Sequence, residues 1–216
     1  MMKVGVLGGS FNPVHNGHLR LAVEALEQAG LDRVELVPAF VPPHKGKDAV
    51  PDFSFRCRLI RAAIANMPEL ALNPLEGQRA GPSYTVDTLE LYHQLYPDRD
   101  PYFLIGCPDF VQLPKWHQGP RLPDLTHFVV VVREAGDEQL LNRFTAEMWP
   151  EAEHIEPDKW VLPSGYRIQL IQSPKLEISS SMVRKKLAQG KCIRYLVPDA
   201  VWVTLRGSKS RHETRP

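Results

Sequence analysis

The sequence predicts an α/β fold, a doubly wound parallel sheet with helices on both faces. Three observations predict it. Apolar runs of strand type alternate with segments of helical spacing along the whole chain. Two of those runs, Tyr102–Ile105 and His127–Val132, are apolar without interruption, as strands covered on both faces are. The length, 216 residues, suits one domain with a sizeable core.

The elements follow in order. Lys3–Leu7 is the first strand. Gly17–Ala29 is a helix, with Leu19, Ala22, Val23, Leu26 and Ala29 at helical spacing and Gly30 as its stop. Arg33–Pro38 is the second strand, and the Pro-, Lys- and His-rich stretch Ala39–Asp52 is a long loop. Phe53–Met67 is helical, and so is Tyr84–Tyr96, which starts after Pro82-Ser83. The strands Tyr102–Ile105 and His127–Val132 come next, then a later strand, Arg167–Ile171. Ser179–Gln189 is a helix closed by Gly190. Glu147–Gly165 holds three prolines and two tryptophans with weak periodicity, and is expected to be an excursion between sheet elements. Residues 1–206 are expected to form a single domain, and the polar, basic stretch 207–216 a disordered tail.

Composition excludes several classes. A net charge of +1 leaves no whole-chain attraction for nucleic acid or an anionic membrane. No apolar run approaches membrane-helix length, and the N-terminal stretch is too short for a signal peptide's apolar region. Cys57, Cys107 and Cys192 are few, odd in number and far apart, so they offer neither a disulfide framework nor a paired metal motif. A cytoplasmic location fits best.

Chemistry concentrates where the first strand should turn into the first helix. There the chain reads Gly8-Gly9-Ser10-Phe11-Asn12-Pro13-Val14-His15-Asn16-Gly17-His18. In an open parallel sheet, ligands sit beyond the carboxyl ends of the strands. Glycines let the backbone come close to a ligand, and a helix start offers free N–H groups and a positive dipole end. His15 and His18 can therefore converge on one anion and donate to phosphoryl oxygens as charge grows in a transition state. The stretch matches neither the G-x-x-x-x-G-K-[ST] nor the G-x-G-x-x-G phosphate loop. A zinc pair would need a third ligand, and no carboxylate is adjacent. Late in the chain stands Ile178-Ser179-Ser180-Ser181-Met182-Val183-Arg184. Its hydroxyls can cap a helix and face an anion, and Arg184, one turn in, can grip pyrophosphate with two N–H groups. Taken alone, this string reads more readily as a serine-rich cap with surface basic residues, since serine caps are common.

Together the two strings, about 160 residues apart and in this order, resemble the paired signatures of the nucleotidyltransferase superfamily, which shares H-x-G-H with class I aminoacyl-tRNA synthetases. The fold implied is Rossmann-like. Intermediate segments resemble one branch, the bacterial nicotinate mononucleotide adenylyltransferases: Pro42-Pro43-His44-Lys45, Ser83-Tyr84-Thr85-Val86-Asp87-Thr88-Leu89, Leu113-Pro114-Lys115-Trp116, and Val131-Val132-Arg133 at the end of a late strand. The resemblance runs from Lys3 to about Leu205. It implies adenylyl transfer from ATP to nicotinate mononucleotide, giving nicotinate adenine dinucleotide and pyrophosphate in NAD biosynthesis. It also implies magnesium accompanying ATP, with no protein-built metal site. His15, His18 and Arg184 would be catalytic. Gly8, Gly9, Ser10, Phe11, Ile178, Ser179 and Ser180 would join them in binding ATP. Lys45, Tyr84, Thr85, Gly106, Asp109, Trp116 and Arg133 would bind the acceptor, with Trp116 stacked on the pyridine ring and Thr85 receiving the carboxylate. A pocket that prefers the acid over the amide is expected to offer donors and no competing carboxylate.

The pattern departs from the family at Gly106-Cys107-Pro108-Asp109, where Pro108 holds the usual acidic position. Either Asp109 shifts in to replace the acid or the contact is lost. A smaller departure is Asn12, where Asp is frequent. The alternatives left open are a nicotinamide mononucleotide or phosphopantetheine acceptor, and a non-catalytic nucleotide-binding or sensing protein. No nucleic-acid or membrane partner is expected, and self-association is left open.

Overall fold

A computed structural model describes residues 1–43 and 50–212, with side chains through residue 207. Its centre is an eight-stranded sheet of order β3-β2-β1-β4-β5-β8-β7-β6. The strands are β1 (Met2–Gly9), β2 (Arg33–Pro38), β3 (Leu70–Leu72), β4 (Arg99–Gly106), β5 (His127–Val132), β6 (Glu153–Glu156), β7 (Lys159–Val161) and β8 (Arg167–Gln172). The helices are α1 (Asn16–Ala29), α2 (Phe53–Ile64), α3 (Thr85–Leu95), the four-residue α4 (Cys107–Phe110), α5 (Asp137–Met148), α6 (Ser180–Ala188) and α7 (Asp199–His212). Strands β1 to β5 and β8 pair in parallel. The chain winds from β1 outward through β2 and β3, then returns to build β4, β5 and β8 on the other side. The order therefore reverses between β1 and β4, where such folds bind ligands beyond the strand ends.

Alternation along the strands feeds two separate cores. Val129 and Val131 of β5 pack on one face with Leu36, Leu104 and Ile171, under Ala22 and Ala25 of α1 and Leu59 and Ile60 of α2. Phe128, Val130 and Val132 pack on the other with Val6, Phe103 and Ile105, under Val86 and Leu89 of α3 and Leu141 of α5. This is why β5 reads as an unbroken apolar run: both of its faces are buried.

Two expectations change, and one short strand escapes the pattern. The Glu147–Gly165 excursion is not outside the sheet. It carries the end of α5 and the hairpin β6–β7, whose strands run antiparallel and extend the sheet past β8. Their shortness and the glutamates of β6 hid the alternation. The stretch from Gly207 is not all tail, since α7 continues to His212 and residues 213–216 lie outside the described residues. One glycine does not end a helix whose neighbours are helix-tolerant. The three-residue β3 gave too little pattern to detect. Among the described residues, no helix is long and apolar enough to cross a membrane.

Candidate active site

Strand β1 delivers the turn from Ser10 to His15 onto the start of α1. Phe11 takes a left-handed backbone conformation, φ 43°, and the Asn12–Pro13 peptide is cis. His15 is the extended residue that caps α1, and its carbonyl accepts from the His18 N–H at 2.9 Å. The His15 N–H donates to His18 Nδ1 at 3.2 Å. That bond leaves the proton of a neutral His18 on Nε2, as a free donor. The two rings stack, centroids 3.6 Å apart, and Phe11 meets His18 edge-on at 4.9 Å. Position 17 is tight, since a Cβ there would sit 3.1 Å from His15 Nδ1 and the ring would have to yield by a few tenths of an ångström.

Burial makes both imidazoles weak bases. The His15 pKa falls to about 4, through desolvation first and the charge of Arg133 second. The His18 pKa falls to about 3, through desolvation, then His15, then Arg133. Both rings are neutral at pH 7. His15 Nδ1 is buried and has no hydrogen-bond partner among the described residues.

The histidines line a small cavity of about 130 Å³ with Gly17, Arg133, Ser173 and Ile178. Arg133 is therefore grouped differently from the sequence expectation. It follows β5 directly, lines the cavity beside the histidines and does not line the larger one.

The late serine string is bonded to this turn. Ser179 caps α6, its hydroxyl accepting from the Met182 N–H at 3.1 Å. Ser180 Oγ donates to the Pro13 carbonyl at 2.9 Å. Arg184 donates to the Asn12 carbonyl at 2.8 Å and to Ser181 Oγ at 3.0 Å. A third segment joins them: Asn16 donates its backbone N–H to Leu196 O and its side-chain amide to Tyr195 O.

A larger cavity, about 530 Å³, opens on the other side of the β1 end. Gly8, Gly9 and Ser10 form one wall, Tyr84, Thr85 and Thr88 of the α3 start another, and Trp116 a third. Thr85 is the first residue of α3, where N–H groups are unpaired by the helix itself. Trp116 meets Phe103 edge-on at 6.4 Å, and Tyr84 stacks on His117 at 4.0 Å. Gly8, Gly9 and Ser10, expected to bind ATP, line this larger cavity and not the histidine cavity, while His15 and His18 at the far end of the same turn line the smaller one. Gly106 and Asp109 line neither cavity. Gly106 caps α4, Pro108 fits the first turn of α4, where its missing N–H costs nothing, and Asp109 is exposed. Lys45 lies outside the described residues.

A family described as cytidylyltransferase-like matches residues 6–186. A probable nicotinate-nucleotide adenylyltransferase of Syntrophotalea carbinolica is 40% identical over 93% of each chain. The chain belongs to the nicotinate-nucleotide adenylyltransferase family. A second such relative, from Geotalea uraniireducens, is 37% identical over 93% of this chain and 94% of its own. Among solved structures, the chain is similar to the Plasmodium falciparum nicotinic acid mononucleotide adenylyltransferase complexed with NaAD, with TM-score 0.73 and 20% identity over 97% of both chains. It is also similar to a putative nicotinate-nucleotide adenylyltransferase from Vibrio parahaemolyticus, with TM-score 0.62 and 22% identity over 95% of this chain and 99% of that one. At those identities the two structures speak for the fold.

Two residues of this nicotinate-nucleotide adenylyltransferase family member escaped the sequence reading. Glu76 is a buried carboxylate that lines the larger cavity, against the expectation that none would. Both its oxygens are engaged within the protein: Oε1 accepts from Thr88 Oγ1 at 2.7 Å and Oε2 from the Phe40 N–H at 3.1 Å. Nothing in the local pattern marked it, since Leu75–Gln78 is a single 3₁₀ turn. Arg56 is 1% exposed, and here a signal existed. It lies on the face of α2 that also buries Cys57, Ile60 and Ile64, where a solvated arginine would not be placed.

Proposed function

We propose that the chain transfers the adenylyl group of ATP to nicotinate mononucleotide, with ATP at the histidine cavity and the mononucleotide at the Trp116 cavity. The observation that carries this reading is the turn after β1, which has two cavities of different character on either side of it. The smaller has two imidazoles and Arg133. The larger has an indole, a tyrosine ring and the N-terminus of α3. A triphosphate suits the first, and a flat ring with a carboxylate suits the second. The family relatives carry the same assignment in their names.

In this reading the phosphate oxygen of the mononucleotide attacks the α-phosphorus of ATP. The new P–O bond forms as the bond to the β-phosphate bridge breaks, and pyrophosphate leaves. The nucleophile is already ionised, so no side chain needs to take a proton. His18 Nε2–H donates to a phosphoryl oxygen as charge builds, and stacking on His15 holds its ring in place. Arg133 supplies a fixed positive charge beside the same oxygens. Ser180 and Arg184 bring α6 against the turn, Ser179 caps that helix, and the remaining N–H groups of Arg184 hold the leaving pyrophosphate. Tyr84 and Trp116 hold the pyridine ring, and Thr85 with the α3 N–H groups receives its carboxylate. Glu76 keeps its negative charge while accepting from Thr88 and the Phe40 N–H, so in this reading the donors at the start of α3 outweigh it.

No carboxylate lines the phosphate cavity, and no group of three His, Cys, Asp or Glu among the described residues is arranged to hold a metal. Magnesium would accompany ATP as part of the substrate and would offset negative charge on its phosphates.

Pyrophosphate release with ATP and magnesium tests the reading, comparing nicotinate mononucleotide, nicotinamide mononucleotide and phosphopantetheine as acceptors. Turnover at least tenfold faster with the nicotinate substrate is expected. Equal or faster turnover with the amide would overturn the acceptor assignment. ATP binding without turnover on any acceptor would favour a sensor.

A further inference from the structure

Helix α2 places one arginine where solvent does not reach. Arg56 is 1% exposed, yet no carboxylate lies within ion-pair distance among the described residues. Its partners are backbone carbonyls. Nη1 donates to Ser10 O at 2.8 Å, Nη2 to Ala39 O at 2.7 Å, and Nε to Pro51 O at 3.0 Å. Burying a guanidinium whose hydrogen bonds all go to neutral carbonyls is unfavourable, and desolvation pulls its pKa below the usual value against the smaller favourable effects of Asp52 and Glu76. Such an arrangement calls for a function beyond packing.

The acceptors show what it does. Ser10 lies in the turn after β1, and Ala39 in the loop after β2; both residues line the larger cavity. The Ala39 N–H also donates to Gly9 O at 2.8 Å, so the two loops touch and the guanidinium bridges them from beneath. In a trans peptide, C=O and N–H point in opposite directions. Pulling the Ser10 carbonyl down to Arg56 turns the N–H of Phe11 the other way, and no backbone carbonyl takes that N–H among the described residues. Pulling the Ala39 carbonyl down turns the Phe40 N–H up, where Glu76 accepts it at 3.1 Å. An unclamped loop could present carbonyl oxygens to an anionic ligand, and those would repel it. A lysine could not reproduce the clamp, since it lacks the planar fork of donors.

We propose that Arg56 is a positioning residue for the transfer reaction. It clamps the β1 turn to the β2 loop, withdraws two carbonyls from the ligand side, and keeps the ATP and acceptor cavities in register. This rests on the two-substrate reading above.

The test is Arg56→Lys beside Tyr92→Phe. Tyr92 donates to buried Glu35, in a network that touches neither loop, so its variant reports stability loss alone. Both are assayed by pyrophosphate release with saturating ATP and nicotinate mononucleotide, at a temperature where each is more than nine-tenths folded. Hydrogen exchange of the peptides covering Gly8–Asn12 and Pro38–Val41 is measured without substrates. For Arg56→Lys, a tenfold or greater fall in kcat and at least tenfold faster exchange confined to those two peptides is expected; Tyr92→Phe should keep kcat within twofold. The proposal is overturned if Arg56→Lys keeps kcat and both KM values within twofold, or if its exchange rises equally over the whole chain. If the parent protein turns over no acceptor, the functional reading fails by itself. The exchange result then decides the clamp, with unchanged exchange at Gly8–Asn12 overturning it.

Discussion

The Arg184 guanidinium donates to the Asn12 carbonyl at 2.8 Å, across 172 residues of chain. Ser180 makes the parallel bond to Pro13, so the late string is tied to the first turn at two successive carbonyls. A hydrogen bond of this kind is worth about 1 kcal/mol net, and more when a donor is charged. Arg184→Ala is expected to lower unfolding free energy by about 1–2 kcal/mol in urea titration, and to lower kcat as well. Ser180→Ala should cost about 1 kcal/mol. An unchanged midpoint in both would mean that the two segments are held together elsewhere.

Loss of His18 should be felt mainly in turnover. Its Nε2–H is the free donor, because Nδ1 is taken by the His15 N–H. His18→Ala is expected to lower kcat about a hundredfold, as loss of one transition-state donor does. A change below about threefold in steady-state pyrophosphate release would remove His18 from the chemistry.

The buried histidines also make folding sensitive to acid. Their pKa values are lowered on folding to about 4 and about 3, from an ordinary value of 6.5. Between those limits the unfolded chain binds protons that the folded one does not, so this contribution to stability is present above pH 6.5 and declines as pH falls toward 4 and 3. The decline approaches about 1.4 kcal/mol per pH unit for each histidine. Denaturant titrations at pH 7, 6 and 5 should show a shallower decline in His15→Asn/His18→Asn than in the parent. Identical slopes would show that the rings titrate normally.

Gly17→Ala tests the fit of the turn. The added methyl would sit 3.1 Å from His15 Nδ1 and 3.6 Å from the Ile178 carbonyl. The His15 ring has to yield by a few tenths of an ångström, so a fall in kcat is expected, with only a modest change in melting temperature. Full activity would show that the stacked geometry is dispensable.

Asp109 is exposed and lines neither cavity. Asp109→Ala is therefore expected to leave kcat and the mononucleotide KM within threefold. A larger rise in that KM would show that Asp109 stands in for the acid displaced by Pro108.

Local pattern was enough for the elements that bury a long regular face. The stripe of α1, the unbroken run of β5 and the stops at Gly30 and Gly190 are each written within a dozen or so residues. The hairpin β6–β7, the three-residue β3 and the continuation of α7 were not legible, because short or charged segments take their structure from neighbours. The site divides the same way. His15, His18, Ser179 and Arg184 announce themselves as motifs. Glu76 looks like any loop glutamate, and Arg56 differs from Arg58 and Arg61 only in facing inward.

By itself the sequence determined the sheet class, the turn after β1 and the family to which the two strings belong. These depend on periodicity and on backbone preferences that act over a few residues. Only the tertiary structure decided that Arg133 sits with the histidines, that Arg56 bridges two loops, and that the imidazoles are neutral. Those outcomes depend on which strand ends lie side by side and on how much water is excluded there. Burial and long-range Coulomb terms are properties of the packed whole, and no local spacing encodes them.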